Sequence, residues 1–133
     1  MYRNKLATYI HFVWTTWDRE PLIAPAFERR LHRNIANQAI KMGCKVLSIN
    51  GIEEHIHLVV KIPSTITIAN LMKQVKGVSS HFVNHTVCPD YTFKWRGCYG
   101  AFTVSRWDLD KIINYVKNQK EHHKKANFKD TGN

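Results

Sequence analysis

The 133 residues suffice for one domain and leave little room for a second, so we predict a single domain over 1–133 that ends in a flexible polar tail, 127–133. Lys and Arg total 20 against 10 Asp and Glu, and the formal charge of +10 favours polyanionic partners, chiefly DNA or RNA. Three cysteines without CxxC spacing exclude a disulfide framework and a zinc cluster. We find neither a signal peptide nor an apolar run long enough for a bilayer, so we expect no membrane association and a soluble intracellular protein.

The first predicted elements are a strand and a helix. Residues 6–15 are rich in β-branched and aromatic side chains that alternate between two faces, which predicts a strand. A helix then begins near Pro25, whose missing N–H costs nothing in a first turn, and ends near Gly43, a residue suited to cap its C-terminus. Apolar residues recur between these two positions at helical spacing.

A hairpin follows the first helix. Residues 44–49 and 52–62 are rich in β-branched and aliphatic side chains, which predicts two strands. The dipeptide between them, Asn50-Gly51, is typical of tight turns. The sequence therefore predicts that the chain reverses its direction at this dipeptide.

The second half of the chain adds a helix, a strand and a final helix. Thr67 is suited to cap the helix, 99–105 predicts a strand, and the last helix begins at Ser105 or Asp108 and runs to about Ala126. The order β-α-β-β-α-β-α matches the split βαβ arrangement, so we predict an α+β, ferredoxin-like fold with a four-stranded antiparallel sheet. The extra C-terminal helix is free to cover the other face of the sheet or to reach a partner.

Two histidines stand out in the predicted third strand. His55 and His57 lie at positions i and i+2, so strand alternation directs both imidazoles to one face of the sheet. The aliphatic residues that alternate with them point to the core on the other face. Two imidazoles on one face can bind the same cation. A His-x-His pair also occurs by chance, so it is weak evidence of a metal site on its own.

The final helix strengthens this interpretation. Tyr115 and Gln119 lie one turn apart on the flank of its apolar stripe. If that stripe docks on the sheet, the Gln119 carbonyl oxygen becomes a third metal ligand, and Tyr115 stands about 6 Å away along the helix axis. Three protein ligands leave coordination positions for a phosphate oxygen. The pattern predicts metal-assisted attack by the tyrosine on a nucleic-acid phosphate.

With these residues the chain resembles the HUH single-strand DNA transposases with one catalytic tyrosine, the small IS200-like enzymes of bacterial insertion sequences. The name describes His-hydrophobic-His, here His55-Ile56-His57. The resemblance covers nearly the whole chain in the right order, and further matching stretches are His11 to Trp14 with Arg19 and Pro21, Asn50 to Ile52, Leu71 to Ser80, Gly97 to Ser105, and Tyr115 to His123.

The resemblance implies a mechanism and a role for each residue. Tyr115 would attack single-stranded DNA and form a 5′-phosphotyrosine bond, and the released 3′-hydroxyl would later attack another such bond and rejoin the strands. His55, His57 and Gln119 would hold a divalent metal, Mg²⁺ or Mn²⁺. Three further residues would support the site: His122, His123 and Glu54.

The resemblance also implies partners. The DNA would carry hairpins at the element ends, and the enzyme would be a homodimer with active sites shared between subunits in the bacterial or archaeal cytoplasm. Excision needs two strand breaks and each chain offers one nucleophile, so at least two chains must cooperate. The sequence leaves open whether Tyr115 serves its own chain or its partner. The predicted DNA-binding residues lie on the basic faces of the first two helices: Arg29, Arg30, Arg33, Lys73 and Lys76.

Other readings remain open at this point. One is a domesticated, repeat-associated relative that cuts hairpin DNA without serving an insertion sequence. A second is a non-catalytic ferredoxin-like module that binds nucleic acid. A phosphohydrolase with a His-x-His-x-His strand is disfavoured, because Val59 stands where its third histidine would be.

Overall fold

Four strands form one antiparallel sheet in the computed structural model, which describes residues 5–121. They are β1 (Thr8–Thr15), β2 (Lys45–Ile52), β3 (His55–Ile62) and β4 (Gly100–Val104), and their order across the sheet is β2-β3-β1-β4. The two central strands, β1 and β3, pair antiparallel with each other and with their outer neighbours. This order confirms the predicted ferredoxin-like fold.

Three helices cover the two faces of this sheet. The helices α1 (Glu28–Lys41) and α2 (Ile68–Phe82) pack on one face, and α3 (Leu109–Lys117) packs on the other against β2 and β3. Both predicted helix caps are present: the backbone N–H of Asn70 donates to Thr67 Oγ1 over 3.0 Å, and Gly43 adopts a positive φ of 93° after α1. Among the helices of residues 5–121, none has the length and apolar character needed to cross a membrane.

The main core lies between the sheet and the helices α1 and α2. Alternation in the two central strands sends one side chain in two into this core, and each of these is at most 2% exposed. The set consists of Ile10, Phe12, Trp14, Ile56, Leu58 and Val60. Since full burial of such a side chain stabilises a fold by about 1.5–3 kcal/mol, the core fixes which face of β3 carries the histidines.

The turn between β2 and β3 differs from the prediction. Asn50 and Gly51 belong to β2, and the chain reverses at Glu53 and Glu54, so the prediction of a turn at Asn50-Gly51 is wrong. The glycine has another reason to be there: an added Cβ on Gly51 would lie 2.1 Å from the backbone oxygen of His55. Close approach of two backbones within the hairpin therefore requires Gly51, whereas turn chemistry does not.

Two helix boundaries also differ from the predictions. The first helix begins at Glu28 rather than near Pro25, because the preceding residues form a turn. The last helix begins after Asp108, as predicted, but α3 ends at Lys117 and Asn118 leaves helical geometry with φ −101° and ψ 21°. Residues 119–121 are helical again. The rest of the predicted helix and the predicted tail, 127–133, lie outside the described residues.

Candidate active site

The two histidines of β3 stand side by side on the face of the sheet that α3 covers. His55 is the first residue of β3, and the ring centroids of His55 and His57 are 4.9 Å apart. His57 is only 7% exposed, while Ile56 between them points into the main core. Strand alternation therefore produces the histidine pair, as predicted from the sequence.

Gln119 meets the histidine pair. Its side chain is 5% exposed, and its Oε1 lies 3.4 Å from His55 Nε2. Two ligands of one cation, each about 2.1 Å from it, are themselves roughly 3.0–3.4 Å apart, so this spacing suits a shared metal ion. Within residues 5–121 no group of three His, Cys, Asp or Glu side chains is arranged to hold a metal. Among the described residues, the amide oxygen of Gln119 is a further possible donor beside the histidine pair.

Tyr115 lies on the exposed side of the same cluster. Its ring stands edge-on to His57, with 5.9 Å between the ring centroids and 84° between the ring planes. Tyr115 is 43% exposed, so it is accessible from solvent. The tyrosine, the histidine pair and Gln119 all come together within one chain.

His11 is a member of this cluster that the sequence analysis did not single out as a site residue. Its Nε2 lies 2.9 Å from His57 Nδ1, and the two rings are stacked with centroids 5.1 Å apart. This contact occupies Nδ1 of His57, so any metal ion would have to bind through Nε2. A partner on the second ring nitrogen is the usual means by which proteins orient a metal-binding histidine. Only the pairing of β1 with β3 reveals the contact, since the two residues are 46 positions apart.

Burial favours the neutral form of two imidazoles in this cluster, those of His57 and His11. The pKa of His57 is lowered to about 3, first by burial and then by the charges of His55 and His11, while a hydrogen bond with Gln119 opposes the shift. Burial also lowers the pKa of His11. Neutral imidazole is the form that binds metal, and His57 and His11 are in this form at neutral pH.

A cluster of polar contacts holds α3 and the residues after it on the sheet. Asn50 Nδ2 donates to the backbone oxygen of Lys117 over 2.8 Å. The Lys120 ammonium donates to Asn50 Oδ1 over 3.0 Å and to the Gly51 oxygen over 3.1 Å, and it pairs with the carboxylate of Glu28. The sequence predicts a turn at Asn50 and indicates no role for Lys120, because these contacts join residues that are distant in sequence.

The predicted supporting residues have different outcomes. Glu54 lies beside the histidine pair, with its Oε1 3.7 Å from His55 Nδ1 and 3.9 Å from Arg19 Nη1. This position allows it to orient His55. His122 and His123 lie outside the described residues.

The predicted DNA-binding residues lie on the opposite side of the sheet from Tyr115. Arg29, Arg30 and Arg33 on α1 and Lys73 on α2 are exposed. Lys76 does not point into solvent as expected, because its ammonium donates to the backbone oxygens of Arg96 over 2.6 Å and Cys98 over 3.3 Å. Its contacts tie the segment before β4 to α2.

Comparisons with known proteins agree with this fold. The family model for the IS200-like transposases matches residues 4–119. The fold is similar to that of a proposed transposase from Deinococcus radiodurans R1 (TM-score 0.66, 20% identity, covering 90% of this chain and 96% of that one). It is also similar to a REP-associated tyrosine transposase bound to a REP hairpin (TM-score 0.68, 13% identity, covering 92% of this chain and 73% of that one). Among curated proteins, none matches the chain significantly.

Proposed function

Since this chain belongs to the IS200-like transposase family, we propose that it cleaves and rejoins single-stranded DNA through a covalent bond to Tyr115. The observation that carries the proposal is the meeting of Tyr115 with His57 while Gln119 contacts His55. A nucleophile, three metal donors and an open side for DNA are the parts that metal-assisted attack on a phosphodiester needs.

The proposed reaction exchanges one phosphodiester for another. The Tyr115 oxygen forms a bond to phosphorus, the bond from phosphorus to the 3′ oxygen breaks, and the phenol loses the proton that the 3′ oxygen gains. The product is a 5′-phosphotyrosine and a free 3′-hydroxyl. Rejoining is the same step in reverse with a different 3′-hydroxyl, so the covalent bond retains the energy of the phosphodiester and no ATP is required.

The chain's own residues prepare this step. His55, His57 and Gln119 would hold the divalent metal, Mg²⁺ or Mn²⁺, and His11 would keep His57 turned toward it. When bound, the cation supplies positive charge to the phosphate oxygens and orients the phosphorus for in-line attack. The contacts of Asn50 and Lys120 keep Gln119 and Tyr115 at the histidine pair.

Replacement of Tyr115 tests the nucleophile. We expect Tyr115→Phe to bind a hairpin oligonucleotide as the wild type does and to form no protein–DNA species that survives denaturation in the presence of Mn²⁺. Tyr99→Phe is the matched control, because Tyr99 is 38% exposed and lies outside the cluster. A covalent species from Tyr115→Phe, or its loss from Tyr99→Phe, contradicts the assignment.

Removal of metal tests the donors. We expect EDTA to abolish cleavage while hairpin binding persists, and Gln119→Leu to weaken the binding of Mn²⁺ as measured by titration calorimetry. Cleavage that continues unchanged in chelator refutes the metal's role. Binding without any covalent species, with or without metal, would favour a non-catalytic DNA-binding module instead.

We also propose that the DNA carries hairpins and that the enzyme works as a homodimer. Similarity to a transposase described with a REP hairpin supports the first point and also favours the repeat-associated hairpin nuclease as a second candidate. The need for two strand breaks from chains with one nucleophile each supports the second. If α3 exchanges between subunits, the same docking contacts form with the partner's sheet, as in domain swapping.

A mixture of two inactive chains tests which subunit provides the tyrosine. A His57→Ala chain and a Tyr115→Phe chain regain cleavage together if α3 is exchanged, because one site then contains both intact groups. Without exchange, each site lacks one group and the mixture stays inactive. Each variant alone serves as the control.

A further inference from the structure

A cavity of about 350 Å³ lies at the end of β1, and the proposed reaction does not use it. Trp17, Asp18, Arg19 and Arg96 line it. Its volume falls at the lower end of the range of small-molecule sites, roughly 300–1,000 Å³. An aromatic ring, a carboxylate and two guanidinium groups thus face a space large enough for one base and its phosphate.

The walls of this cavity are built into the fold. The backbone N–H of Trp17 donates to the Lys94 oxygen over 2.9 Å, and that of Arg96 donates to the Thr15 oxygen over 3.0 Å. These bonds hold the turn after β1 against the segment that carries Arg96. The Lys76 ammonium braces the same segment from α2.

The turn itself is strained. Asp18 and Arg19 both adopt the left-handed conformation, with φ of 53° and 52°, although neither is glycine. Such strain persists only where the surrounding structure enforces it, and it collects at ligand sites. Here it places the indole of Trp17 and the side chains of Asp18 and Arg19 around one space.

The lining suits single-stranded nucleic acid. Trp17 lines the cavity and is 49% exposed, and the Lys94 ammonium lies over its ring at 3.9 Å from the centroid, so a base would stack on the face opposite Lys94. Proteins that bind single strands combine an aromatic stacking surface with cations that follow the phosphates. Arg19 and Arg96 supply those cations beside the stacking surface.

Asp18 adds a preference among bases. A carboxylate accepts hydrogen bonds and repels phosphate, so its partner in this cavity must be a donor on the base edge. Adenine, cytosine and guanine carry an exocyclic amino group, whereas the one donor of thymine, its ring N–H, lies between two carbonyl oxygens that a carboxylate repels. The cavity is therefore expected to disfavour thymine.

The cavity is connected to the histidine pair through one carboxylate. Glu54 Oε1 lies 3.9 Å from Arg19 Nη1 and 3.7 Å from His55 Nδ1. We propose that the cavity binds one amino-bearing nucleotide of single-stranded DNA, a neighbour of the phosphate that Tyr115 attacks, with its base on Trp17 and its phosphate between Arg19 and Arg96. The position of that phosphate rests on the proposed function. The binding of a nucleotide rests on the residues that line the cavity.

Binding measurements in EDTA test the cavity without any chemistry. We expect Trp17→Ala to weaken binding of a short deoxycytidylate homopolymer by about 5- to 100-fold, the range for loss of one stacked base. Trp17→Phe should restore most of the affinity, which a mere folding defect would not allow. Trp107→Ala is the matched control, because Trp107 is 90% exposed and lies outside the cavity. Equal Kd values for wild type and Trp17→Ala, or equal losses in both alanine variants, overturn the proposal.

Charge and base choice give two further readouts. Arg96→Gln should reduce the slope of log Kd against log salt by about 0.7, whereas exposed Arg106→Gln should leave it unchanged. Asp18→Asn should narrow the preference for deoxycytidylate over thymidylate, and asparagine tolerates the left-handed conformation of this position. No preference in the wild type overturns the role of Asp18.

The two proposals can fail separately. A wild-type protein that forms no covalent species, while Trp17→Ala still weakens oligonucleotide binding, refutes the reaction and leaves the nucleotide site in place. A protein that forms the covalent species, but whose binding is indifferent to Trp17, refutes the nucleotide site alone.

Discussion

Gly51→Ala is the substitution whose effect follows most directly from the structure. A Cβ at this position would lie 2.1 Å from the His55 oxygen and 3.1 Å from the Ile56 Cα, whereas such contacts are not found below 3.0 Å. The hairpin must therefore open by about 1 Å at the first residue of β3. Strain of this kind costs about 1–3 kcal/mol of unfolding free energy, which lowers Tm by roughly 4–12 °C in a domain of this size.

The same opening displaces His55, a proposed metal ligand, so activity should suffer more than stability. A misplacement of about 1 Å at a reacting site can cost on the order of 100-fold in rate. We expect Gly51→Ala to remain folded at low temperature and to form the covalent DNA species about 100-fold more slowly. Thermal melting followed by circular dichroism and quantification of the covalent species on denaturing gels measure the two effects.

Gly77→Ala is the matched control for this experiment. Gly77 lies within α2, and an added Cβ would meet nothing within 4 Å. Alanine in a helix interior is favoured over glycine by roughly 0.5–1 kcal/mol, so Gly77→Ala should raise Tm and leave cleavage intact. If Gly51→Ala is as stable and as active as Gly77→Ala, the close approach of the two strands is not the reason for the glycine.

Three further predictions concern the histidines and the docking of α3. His11→Phe should weaken Mn²⁺ binding, measured by calorimetry, by about 10- to 100-fold. His11→Gln keeps an acceptor for His57 Nδ1 and should retain much of the wild-type affinity. Equal affinity in wild type and His11→Phe contradicts the positioning role. Asn50→Ala removes the bond to Lys117, so α3 should show faster amide exchange and the fold should lose about 1 kcal/mol in urea unfolding. The pKa of His57 is about 3 and that of His32 about 4 in the fold, against 6.5 for unperturbed histidine, and burial is the main cause. The unfolded chain therefore binds more protons than the folded one below pH 6.5. These two histidines should leave the free energy of unfolding constant above pH 6.5 and lower it below that pH, by at most about 1.4 kcal/mol per pH unit for each histidine. A free energy of unfolding that stays constant from pH 6.5 to 4.5 would contradict this.

Features that depend on local chemistry were predictable from the sequence. The alternation of His55, Ile56 and His57 fixed their faces, because the aliphatic residue had to enter the core. Thr67 capped its helix through its own side chain, as the residue type indicated. Helical spacing predicted that Tyr115 and Gln119 lie close together, and both contact the histidine pair although Gln119 lies beyond the end of α3.

Features that depend on contacts between distant segments were not predictable. His11 joins the site only because β1 lies beside β3, and nothing near it in sequence marks the contact. Lys120 lies in a run of polar residues, and its sequence neighbours do not indicate any contact. Its ammonium nevertheless contacts both α1 and β2. Asn118 interrupts the last helix just before Gln119, whose amide oxygen lies 3.4 Å from His55 Nε2, and no local pattern marks this break.

The difference between the predicted and the observed turn shows why the candidate active site depends on the register of one hairpin. With the observed turn, Asn50 pairs with His57, and directly paired residues of antiparallel strands share a face. The amide of Asn50 therefore reaches Lys117 beside the histidines. A turn at the predicted dipeptide would have paired His57 with Cys44 and left Asn50 at the tip of the hairpin, with nothing next to the histidines to capture α3. The two registers differ by an even number of residues, so the histidines lie on the same face of the sheet in both. Only the observed register places Asn50 beside them, where it binds α3 and brings Tyr115 to the histidines.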